Sequence, residues 1–273
     1  MTINCKGKLI DISNPKVMGI LNITPDSFYD GGQNKNPKDI LLKVENMLNQ
    51  GATFIDIGAY SSRPGADFVS EEEELKRILP VVELIINEFP ETFLSIDTFR
   101  SKIAKECIEA GAAMINDISA GMLDNNMIPT VGELNVPYIM MHMKGEPKTM
   151  QQLTYYTDLI KDINYYFSQR IEVAKSAQIK DIIIDPGFGF SKTLEQNYEL
   201  LNKLELLKLL ELPMLIGISR KSMIYKLLNI TPKDALNGTT ALNTIALLKG
   251  ANILRVHDVK EAIECIKLTN LLD

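Results

Sequence analysis

The sequence is poor in the residues that build disulfide frameworks and metal sites. Its 273 residues include three cysteines, Cys5, Cys107 and Cys265, and two histidines, His142 and His257. An odd number of widely spaced cysteines with no C-x-x-C pair argues against a disulfide scaffold or a zinc knuckle. Two histidines are too few for a histidine-rich metal site. We therefore expect the cysteines to be bystanders.

Long apolar runs and an excess of positive charge are also missing. No apolar stretch reaches the roughly 18 residues that a membrane helix needs, and the first residues lack the apolar core of a secretion signal. Lys and Arg number 29 against 35 Asp and Glu, which gives a net charge of −6 and argues against broad nucleic-acid binding. We expect a cytoplasmic protein with no nucleic-acid or membrane partner, although a local basic pocket for a small anion is compatible with this charge.

One pattern recurs along the whole chain: a short apolar, β-branched run, then a polar turn, then a helical period. The starts of these runs lie on average roughly 34 residues apart, about the size of one βα unit. The runs are continuous rather than alternating, as expected for parallel strands that helices cover. The eight runs are Val17–Asn22, Thr53–Gly58, Thr92–Asp97, Ala113–Asp117, Pro137–His142, Asp181–Asp185, Pro213–Gly217 and Asn252–His257.

Eight strand–helix units in about 250 residues predict an α/β fold, a single (β/α)8 TIM barrel over residues 1–273. A doubly wound open sheet is the alternative. No Ser-, Gly- or Pro-rich linker marks a domain boundary in the chain. The segment 1–15 fits none of the eight units, and we expect it to form a short β cap over the bottom of the barrel.

Two capping-box spacings predict where helices begin. Ser70 with Glu73, and Asp258 with Glu261, have the spacing in which two side chains satisfy free N–H groups of the first helical turn. We therefore expect helices to start after Ser70 and after Asp258. Arg220, in a polar segment after the seventh run, is expected to anchor its loop.

Polar side chains end almost every predicted strand, and the active site of a (β/α)8 barrel lies at these carboxyl ends. Isolated buried carboxylates are costly unless they have partners, so the set as a whole indicates a functional site. Asp97, Asn116 and Asp185 are acceptors that suit a heterocycle rich in N–H donors, such as the amino-pyrimidine edge of a pterin or guanine.

A second group of side chains suits a phosphate or diphosphate. This group comprises Asn22, Arg63, Arg255 and His257. Arg255 and His257 are two apart in a predicted strand, so both are expected to point to the same side. Two glycine-containing loops, at 24–32 and 59–65, follow the first two strands. We expect them to act as lids that exclude water from a reactive intermediate.

Eight segments of the chain carry a family resemblance. They are Met18–Phe28, Asp56–Gly58, Ser62–Ala66, Ser95–Thr98, Ile115–Ile118, Asp185–Phe190, Gly217–Ser222 and Leu254–Asp258. In order and spacing, from about residue 15 to the end, the sequence resembles the dihydropteroate synthases. The N-x-T-P-D-S-F loop and the S-R-K segment are the most specific of these motifs.

The resemblance implies a transferase of folate biosynthesis. It would condense 6-hydroxymethyl-7,8-dihydropterin diphosphate with p-aminobenzoate to give 7,8-dihydropteroate and diphosphate. The resemblance further implies a homodimer, inhibition by sulfonamides as p-aminobenzoate mimics, and Mg²⁺ reached through Asn22 and the diphosphate oxygens. Such an ion keeps several water and phosphate ligands, so no cage of protein carboxylates is required.

The resemblance also assigns roles to individual residues. Those implied for the pterin are Asp97, Asn116, Asp185 and Lys221. Those implied for the diphosphate are Asn22, Ser62, Arg63, Arg255 and His257. Those implied for the p-aminobenzoate pocket are Phe28, Pro64, Phe188 and Ser222, with Asp30 in the same closed-loop assembly. The charged groups expected to act in catalysis are Asp97, Lys221, Arg255, His257 and Arg63.

Three positions depart from the family pattern. Tyr60 stands where a polar residue is common, Ser62 replaces a threonine, and Tyr225 stands where glycine is usual. These changes bear on the second loop and its closure rather than on the reaction.

Two other functions are left open. One is a corrinoid-linked methyltetrahydrofolate methyltransferase, which resembles this family in its barrel and pterin-facing acids but does not need the anion-binding group. The other is a non-catalytic pterin-binding barrel. The chain length leaves no room for a fused pyrophosphokinase domain.

Overall fold

The computed structural model of the chain describes residues 1–23, 37–60 and 68–272. The strands in these ranges are β1 Thr2–Cys5, β2 Lys8–Asp11, β3 Lys16–Asn22, β4 Phe54–Gly58, β5 Phe93–Asp97, β6 Met114–Asp117, β7 Tyr138–Met141, β8 Ile182–Asp185, β9 Leu215–Ile216 and β10 Ile253–Val256. The α-helices are α1 Pro37–Asn49, α2 Glu71–Glu88, α3 Ser101–Glu109, α4 Met127–Leu134, α5 Leu159–Ser176, α6 Leu194–Asn202, α7 Ser222–Leu228, α8 Leu236–Leu248 and α9 Val259–Thr269. Short 3₁₀ helices lie at Met150–Gln152, Leu204–Leu210 and Pro232–Asp234.

Eight parallel strands form the barrel. Their order is β8-β7-β6-β5-β4-β3-β10-β9, so the first barrel strand, β3, pairs with the last, β10. A parallel bridge between Ile184 of β8 and Met214, just before β9, joins the two ends of this order. The predicted (β/α)8 barrel is confirmed, and the open doubly wound alternative is wrong because the sheet returns on itself.

The apolar runs form strands because both of their faces are covered. Every residue of β4, β6, β7 and β8 is buried, which explains why the sequence shows continuous rather than alternating apolar character. The shortest strand, β9, has two residues instead of the five predicted. Pro213 has no N–H to donate to the ladder, and Gly217 begins the loop toward α7.

The N-terminal segment forms the expected β cap. Strands β1 and β2 pair antiparallel, with Cys5 opposite Lys8. The two residues between them have the positive φ angles of a hairpin turn, 53° at Lys6 and 79° at Gly7. Ile3 and Cys5 are buried in one cluster with inward-facing residues of the barrel strands, including Met18 and Phe54. The hairpin therefore closes the end of the barrel opposite to the carboxyl ends of the strands.

One predicted helix cap is present and the other is not. The Ser70 hydroxyl accepts the Glu73 N–H at 3.2 Å at the start of α2. At the start of α9, the Asp258 side chain caps no N–H group. It accepts instead from Arg220, with Nε–Oδ2 at 2.8 Å and Nη2–Oδ1 at 2.7 Å. A two-point guanidinium–carboxylate pair is stronger than a neutral cap, and it anchors the loop before α7 as expected for Arg220.

No helix of the described ranges is long and apolar enough to cross a bilayer.

Candidate active site

The strand register gathers the predicted polar residues at one end of the barrel. Asn22, Gly58, Asp97 and Asn116 are successive register partners across β3, β4, β5 and β6. Asp185 ends β8. Because the strands are parallel, these carboxyl ends form a single rim, called the rim below. The rim is where a barrel of this kind carries out chemistry.

Arg255 reaches from β10 to two carboxylates of the rim. Its Nε donates to Asp56 Oδ2 at 2.6 Å, and its Nη2 donates to Asp97 Oδ2 at 2.7 Å. The Asn116 amide donates to the same Asp56 oxygen at 3.1 Å. The sequence analysis assigned Arg255 to the binding of an anion and Asp97 to the binding of a heterocycle. The structure joins the two in one ion-pair network, which offsets the cost of placing these charges out of water.

Asp56 is a site residue that sequence reasoning did not assign. It is fully buried, and its Oδ1 has no hydrogen-bond partner in the described part of the chain. The Ser95 hydroxyl, on the register partner of Asp56, is also unsatisfied there. The sequence did contain a signal for Asp56: it lies two residues before Gly58 at the end of β4, and alternate residues of a strand share one face.

Lys221 occupies the position just before α7. Its Nζ donates to the Phe188 carbonyl at 2.5 Å and lies 4.8 Å from the centroid of the Phe190 ring. Burial lowers the pKa of Lys221 to about 8, although the Asp185 carboxylate raises it. Lys221 is therefore mainly an ammonium at neutral pH, but it loses its proton more readily than an exposed lysine does.

Two carboxyl groups of the rim have pKa values that are raised rather than lowered. Burial raises the pKa of Asp97 above its usual range, against the lowering effect of Arg255. Burial likewise raises the pKa of Asp185, against the lowering effect of Lys221. Carboxylates in such a poorly hydrated setting are stabilised by a ligand with N–H donors, because those donors supply the hydrogen bonds that water no longer makes.

The structure corrects the expected role of Phe188. Its side chain is 0% exposed and belongs to the main hydrophobic core, so it offers no surface to a ligand. Phe190 is half-buried and lies beside Lys221. Positive φ angles of 71° at Gly187 and 81° at Gly189 set the path of this loop. The G-F-G-F pattern alone does not reveal which ring faces the core.

The remaining predicted residues divide into two groups. His257 is exposed just past the end of β10, with Nδ1 3.0 Å from the Ser219 hydroxyl, whereas the side chain of Arg255 contacts the aspartates. Asn22 and Ser222 are half-buried, at the end of β3 and the start of α7. The predicted residues Phe28, Asp30, Ser62, Arg63 and Pro64, with most of both glycine-containing loops, lie outside the described residues.

The unusual residue Tyr60 has a specific packing environment. Its ring makes an edge contact with Phe99, with centroids 5.1 Å apart, and lies 5.5 Å from the Arg100 guanidinium carbon. Arg100 in turn pairs with the buried carboxylate of Glu74 at 2.5 Å. Tyr225, the other aromatic departure, packs against the main core.

The rim does not form a dedicated metal cage. Among the described residues, no cluster of three or more His, Cys, Asp or Glu side chains could hold a metal ion. Asn22 supplies an amide oxygen at the end of β3, a donor type that suits Mg²⁺. This donor set fits an ion that a phosphorylated ligand and water largely coordinate.

The chain is similar to known proteins over nearly all of its length. Residues 18–257 match the model of the family described as pterin binding enzyme. Dihydropteroate synthase of Escherichia coli (strain K12) is 44% identical over 270 residues, covering 98% of this chain and 95% of that protein.

Solved structures agree with this similarity. The Yersinia pestis dihydropteroate synthase in a sulfonamide drug complex superposes with a TM-score of 0.93 at 45% identity, covering 100% of this chain and 99% of that one. The Xanthomonas albilineans dihydropteroate synthase with 4-aminobenzoic acid has a TM-score of 0.91 at 35% identity, with coverages of 99% and 97%. The chain therefore belongs to the pterin-binding enzymes and, among them, to the dihydropteroate synthases.

Proposed function

We propose that the rim condenses 6-hydroxymethyl-7,8-dihydropterin diphosphate with p-aminobenzoate to give 7,8-dihydropteroate and diphosphate. The observation that carries this proposal is the cluster of charged groups at one rim: the ion pairs of Arg255 with Asp56 and Asp97, and Lys221 within electrostatic reach of Asp185 and Asp97. The carboxylates and Asn116 provide buried acceptors for the N–H edge of the pterin. The two cations provide positive charge for the diphosphate.

The chemistry follows from these charges. The C–O bond to the diphosphate breaks, and its electron pair leaves on the diphosphate oxygen. Arg255 and Lys221 stabilise that growing negative charge, while Asp97 and Asp185 favour the electron-deficient pterin methylene. The amine nitrogen of p-aminobenzoate then forms the C–N bond and releases one proton to the solvent. A weakly basic amine suffices because the site holds it next to the methylene carbon.

We propose that p-aminobenzoate lies against Phe190, near Lys221 and Ser222. The Phe190 ring offers an aromatic face for the p-aminobenzoate ring, and Lys221, 4.8 Å from the Phe190 centroid, places that face beside the cation that serves the diphosphate. The X. albilineans relative was solved with 4-aminobenzoic acid, which supports a site of this kind. The contributions of the two loops and of His257 stay predictions from the sequence.

Mg²⁺ is proposed as the cofactor, with the Asn22 side-chain oxygen as its protein ligand. When bound, the ion would neutralise part of the diphosphate charge and so assist its departure. The chain itself would orient the diphosphate through Arg255. Isothermal titration with a non-hydrolysable diphosphate analogue, with and without Mg²⁺, tests this proposal. We expect tighter binding with the ion in the wild type, and little effect of the ion in Asn22→Ala.

A homodimer through the helices after β9 and β10 is proposed. Helix α8 packs on both α7 and α9, and this side of the barrel exposes several large apolar residues. They are Leu227, Leu228, Ile245, Leu248, Leu268, Leu271 and Leu272. Exposed large apolar residues on neighbouring helices are typical of an interface. A cytoplasmic location stays a prediction from the sequence.

One assay tests the proposed reaction. Purified protein, Mg²⁺, the pterin diphosphate and p-aminobenzoate are mixed, and both products are followed. We expect dihydropteroate and diphosphate in equal amounts. Pterin binding without turnover would favour the non-catalytic barrel instead, and methyl transfer to a corrinoid would favour the methyltransferase.

Sulfonamides test the second subsite. As mimics of p-aminobenzoate they are expected to inhibit competitively with it, and the Y. pestis relative was solved with such a drug. Inhibition that does not change with the p-aminobenzoate concentration would contradict the placement beside Phe190.

A further inference from the structure

A second buried lysine lies at the carboxyl-terminal end of the barrel, in the segment between β8 and α6. Lys192 is 5% exposed, and His142, at the end of β7, is 1% exposed. Neither residue has a role in the site described above. Lys192 Nζ lies 3.0 Å from His142 Nδ1, donates to the Gly187 carbonyl at 2.9 Å and donates to the Phe190 carbonyl at 3.0 Å.

These three contacts match the donors of a charged ammonium. A lysine ammonium has three N–H donors and no acceptor, and here each donor has one acceptor if His142 Nδ1 carries a lone pair. Burial, together with Lys192 and Lys144, lowers the pKa of His142 well below its usual value. The imidazole is therefore neutral, and a charged Lys192 requires its proton to be on Nε2.

The charges around Lys192 are mixed. Burial lowers the pKa of Lys192 to about 7, the Asp185 carboxylate raises it, and Lys221 and Lys144 lower it further. With His142 Nδ1 as an acceptor, all three contacts need the ammonium, because a neutral amine would turn a lone pair toward one of the three acceptors.

The loop that Lys192 contacts has an unusual backbone. Gly187, Gly189 and Ser191 have positive φ angles of 71°, 81° and 50°, and a serine at such an angle is uncommon. Gly187 also packs closely on the end of β7, where an added Cβ would lie 2.1 Å from the His142 carbonyl oxygen. Without Lys192, the Phe190 carbonyl would lose this donor, and the Gly187 carbonyl would keep only the Phe190 N–H at 3.1 Å. Hydrogen bonds left unmade in a largely buried setting are costly.

The same loop forms one wall of the active site. The Gly187 N–H donates to Asp185 Oδ1 at 2.8 Å, and the Phe188 carbonyl accepts from Lys221 at 2.5 Å. Lys192 binds the carbonyls on either side of Phe188, at residues 187 and 190. A shift of those carbonyls would therefore move the acceptor that holds Lys221 and the ring of Phe190.

We propose that Lys192, with neutral His142 as its acceptor, is a positioning residue that holds the 186–191 loop so that Lys221 and Phe190 face the substrates. The inference rests on the proposed function of the rim. It adds a buried lysine–histidine pair that touches no substrate and acts through the loop.

The first test compares Lys192→Met with Lys203→Met. Methionine keeps most of the apolar chain of Lys192 but removes its N–H donors. Lys203 is a matched control, because it forms an exposed ion pair with Glu199 at 2.8 Å. Steady-state kinetics are measured well below the unfolding temperature of each variant. We expect kcat/KM for p-aminobenzoate to fall about tenfold to a hundredfold in Lys192→Met, since small misplacements of catalytic groups have such effects. The control should stay within twofold of the wild type.

A second pair of variants keeps the test decisive if Lys192→Met fails to fold. His142→Asn keeps an acceptor near the place of Nδ1, whereas His142→Leu removes it. We expect activity close to the wild type in His142→Asn and a loss of about tenfold in His142→Leu. Equal activities in these two folded variants would overturn the proposal, as would a folded Lys192→Met with wild-type kcat/KM.

A spectroscopic readout separates this role from a purely structural one. The chain has two histidines, so nitrogen NMR resolves His142 directly. We expect an unprotonated, hydrogen-bonded Nδ1 and a protonated Nε2 in the wild type, and a changed Nδ1 signal in Lys192→Met. A protonated Nδ1 in the wild type would overturn the proposal. Failure of the proposed function has a different signature, because the wild type itself would then make no dihydropteroate.

Discussion

Replacing Arg255 by methionine is predicted to lower the stability of the fold and to make that stability depend strongly on pH. Arg255 donates to both Asp56 and Asp97, so the substitution leaves one buried and one half-buried carboxylate without that cation. Removing one partner of a buried ion pair costs about 3–5 kcal/mol. The Asp97 and Arg255 side chains are 20% and 18% exposed, so we take the lower end, about 3 kcal/mol. At about 2–4 °C per kcal/mol for larger domains, Tm should fall by about 6–12 °C.

The pH dependence has a definite sign. Burial raises the pKa of Asp97 in the wild type against the effect of Arg255, and loss of the guanidinium raises it further. A carboxyl group with a folded-state pKa above its unfolded value stabilises the fold at low pH, and this contribution is lost as pH rises through the folded-state pKa. The deficit of the variant should therefore be largest at about pH 8 and shrink toward about pH 5.

Thermal unfolding followed by circular dichroism at several pH values checks both expectations. Arg77→Met is the matched control, because Arg77 forms a partly exposed i,i+4 pair with Glu73 at 2.7 Å that is worth about 0.5 kcal/mol or less. A variant Tm equal to that of the wild type would refute the ion-pair reasoning. A deficit that grows on acidification would refute the assignment of the shift to Asp97.

Three further substitutions have defined outcomes. Lys221→Met should lower kcat by about a hundredfold. Because burial lowers the pKa of Lys221 to about 8, kcat of the wild type should fall as pH rises above that value. A wild-type kcat that does not change with pH in this range would contradict the role of the ammonium. The Asp117 carboxylate accepts from the Ser119 N–H and hydroxyl, the Gly121 N–H and the Tyr138 hydroxyl. Asp117→Asn would turn an amide N–H toward one of these donors, so we expect a loss of about 2 kcal/mol in urea unfolding. An unchanged midpoint would argue against this set of hydrogen bonds. Gly187→Ala would place Cβ 2.1 Å from the His142 carbonyl oxygen, at a positive φ. We therefore expect the free energy of unfolding to fall by about 2 kcal/mol or more. A urea midpoint equal to that of the wild type would contradict the close packing.

The barrel was predictable because its evidence is local and repeated. Each βα unit shows a buried run followed by a helical period, and the (β/α)8 barrel is the arrangement that eight such units favour. The gathering of Asn22, Asp97, Asn116 and Asp185 followed from the same reasoning, since residues that end parallel strands meet at one rim. These predictions needed only the position of each residue in its unit.

The side-chain pairing at the rim was not predictable in this way. Whether Arg255 points to a leaving group or to Asp56 and Asp97 depends on its rotamer and on the distance across the barrel. Neither quantity has a signature in local sequence. The expected cap at Asp258 failed for a similar reason, because Arg220, 38 positions away, competes for the carboxylate.

The G-F-G-F loop shows the same limit at shorter range. Local pattern identified it as part of the site but could not distinguish Phe188, which lies in the core, from Phe190. The contact between Lys192 and His142 joins residues 50 positions apart. In the sequence His142 is one of several polar residues that end a predicted strand, and Lys192 has no distinguishing signal, because only the closed barrel brings them together.

The most direct test of the account is a single-turnover experiment on the rim. Wild type, Asp185→Asn, Lys221→Ala and the surface control Lys203→Met are mixed rapidly with both substrates and Mg²⁺, and dihydropteroate and diphosphate are quantified over time. We predict that the two products appear together at one rate in the wild type and the control. Both folded rim variants should slow that rate by about a hundredfold. Rim variants that turn over at the wild-type rate would contradict the placement of the reaction at this site.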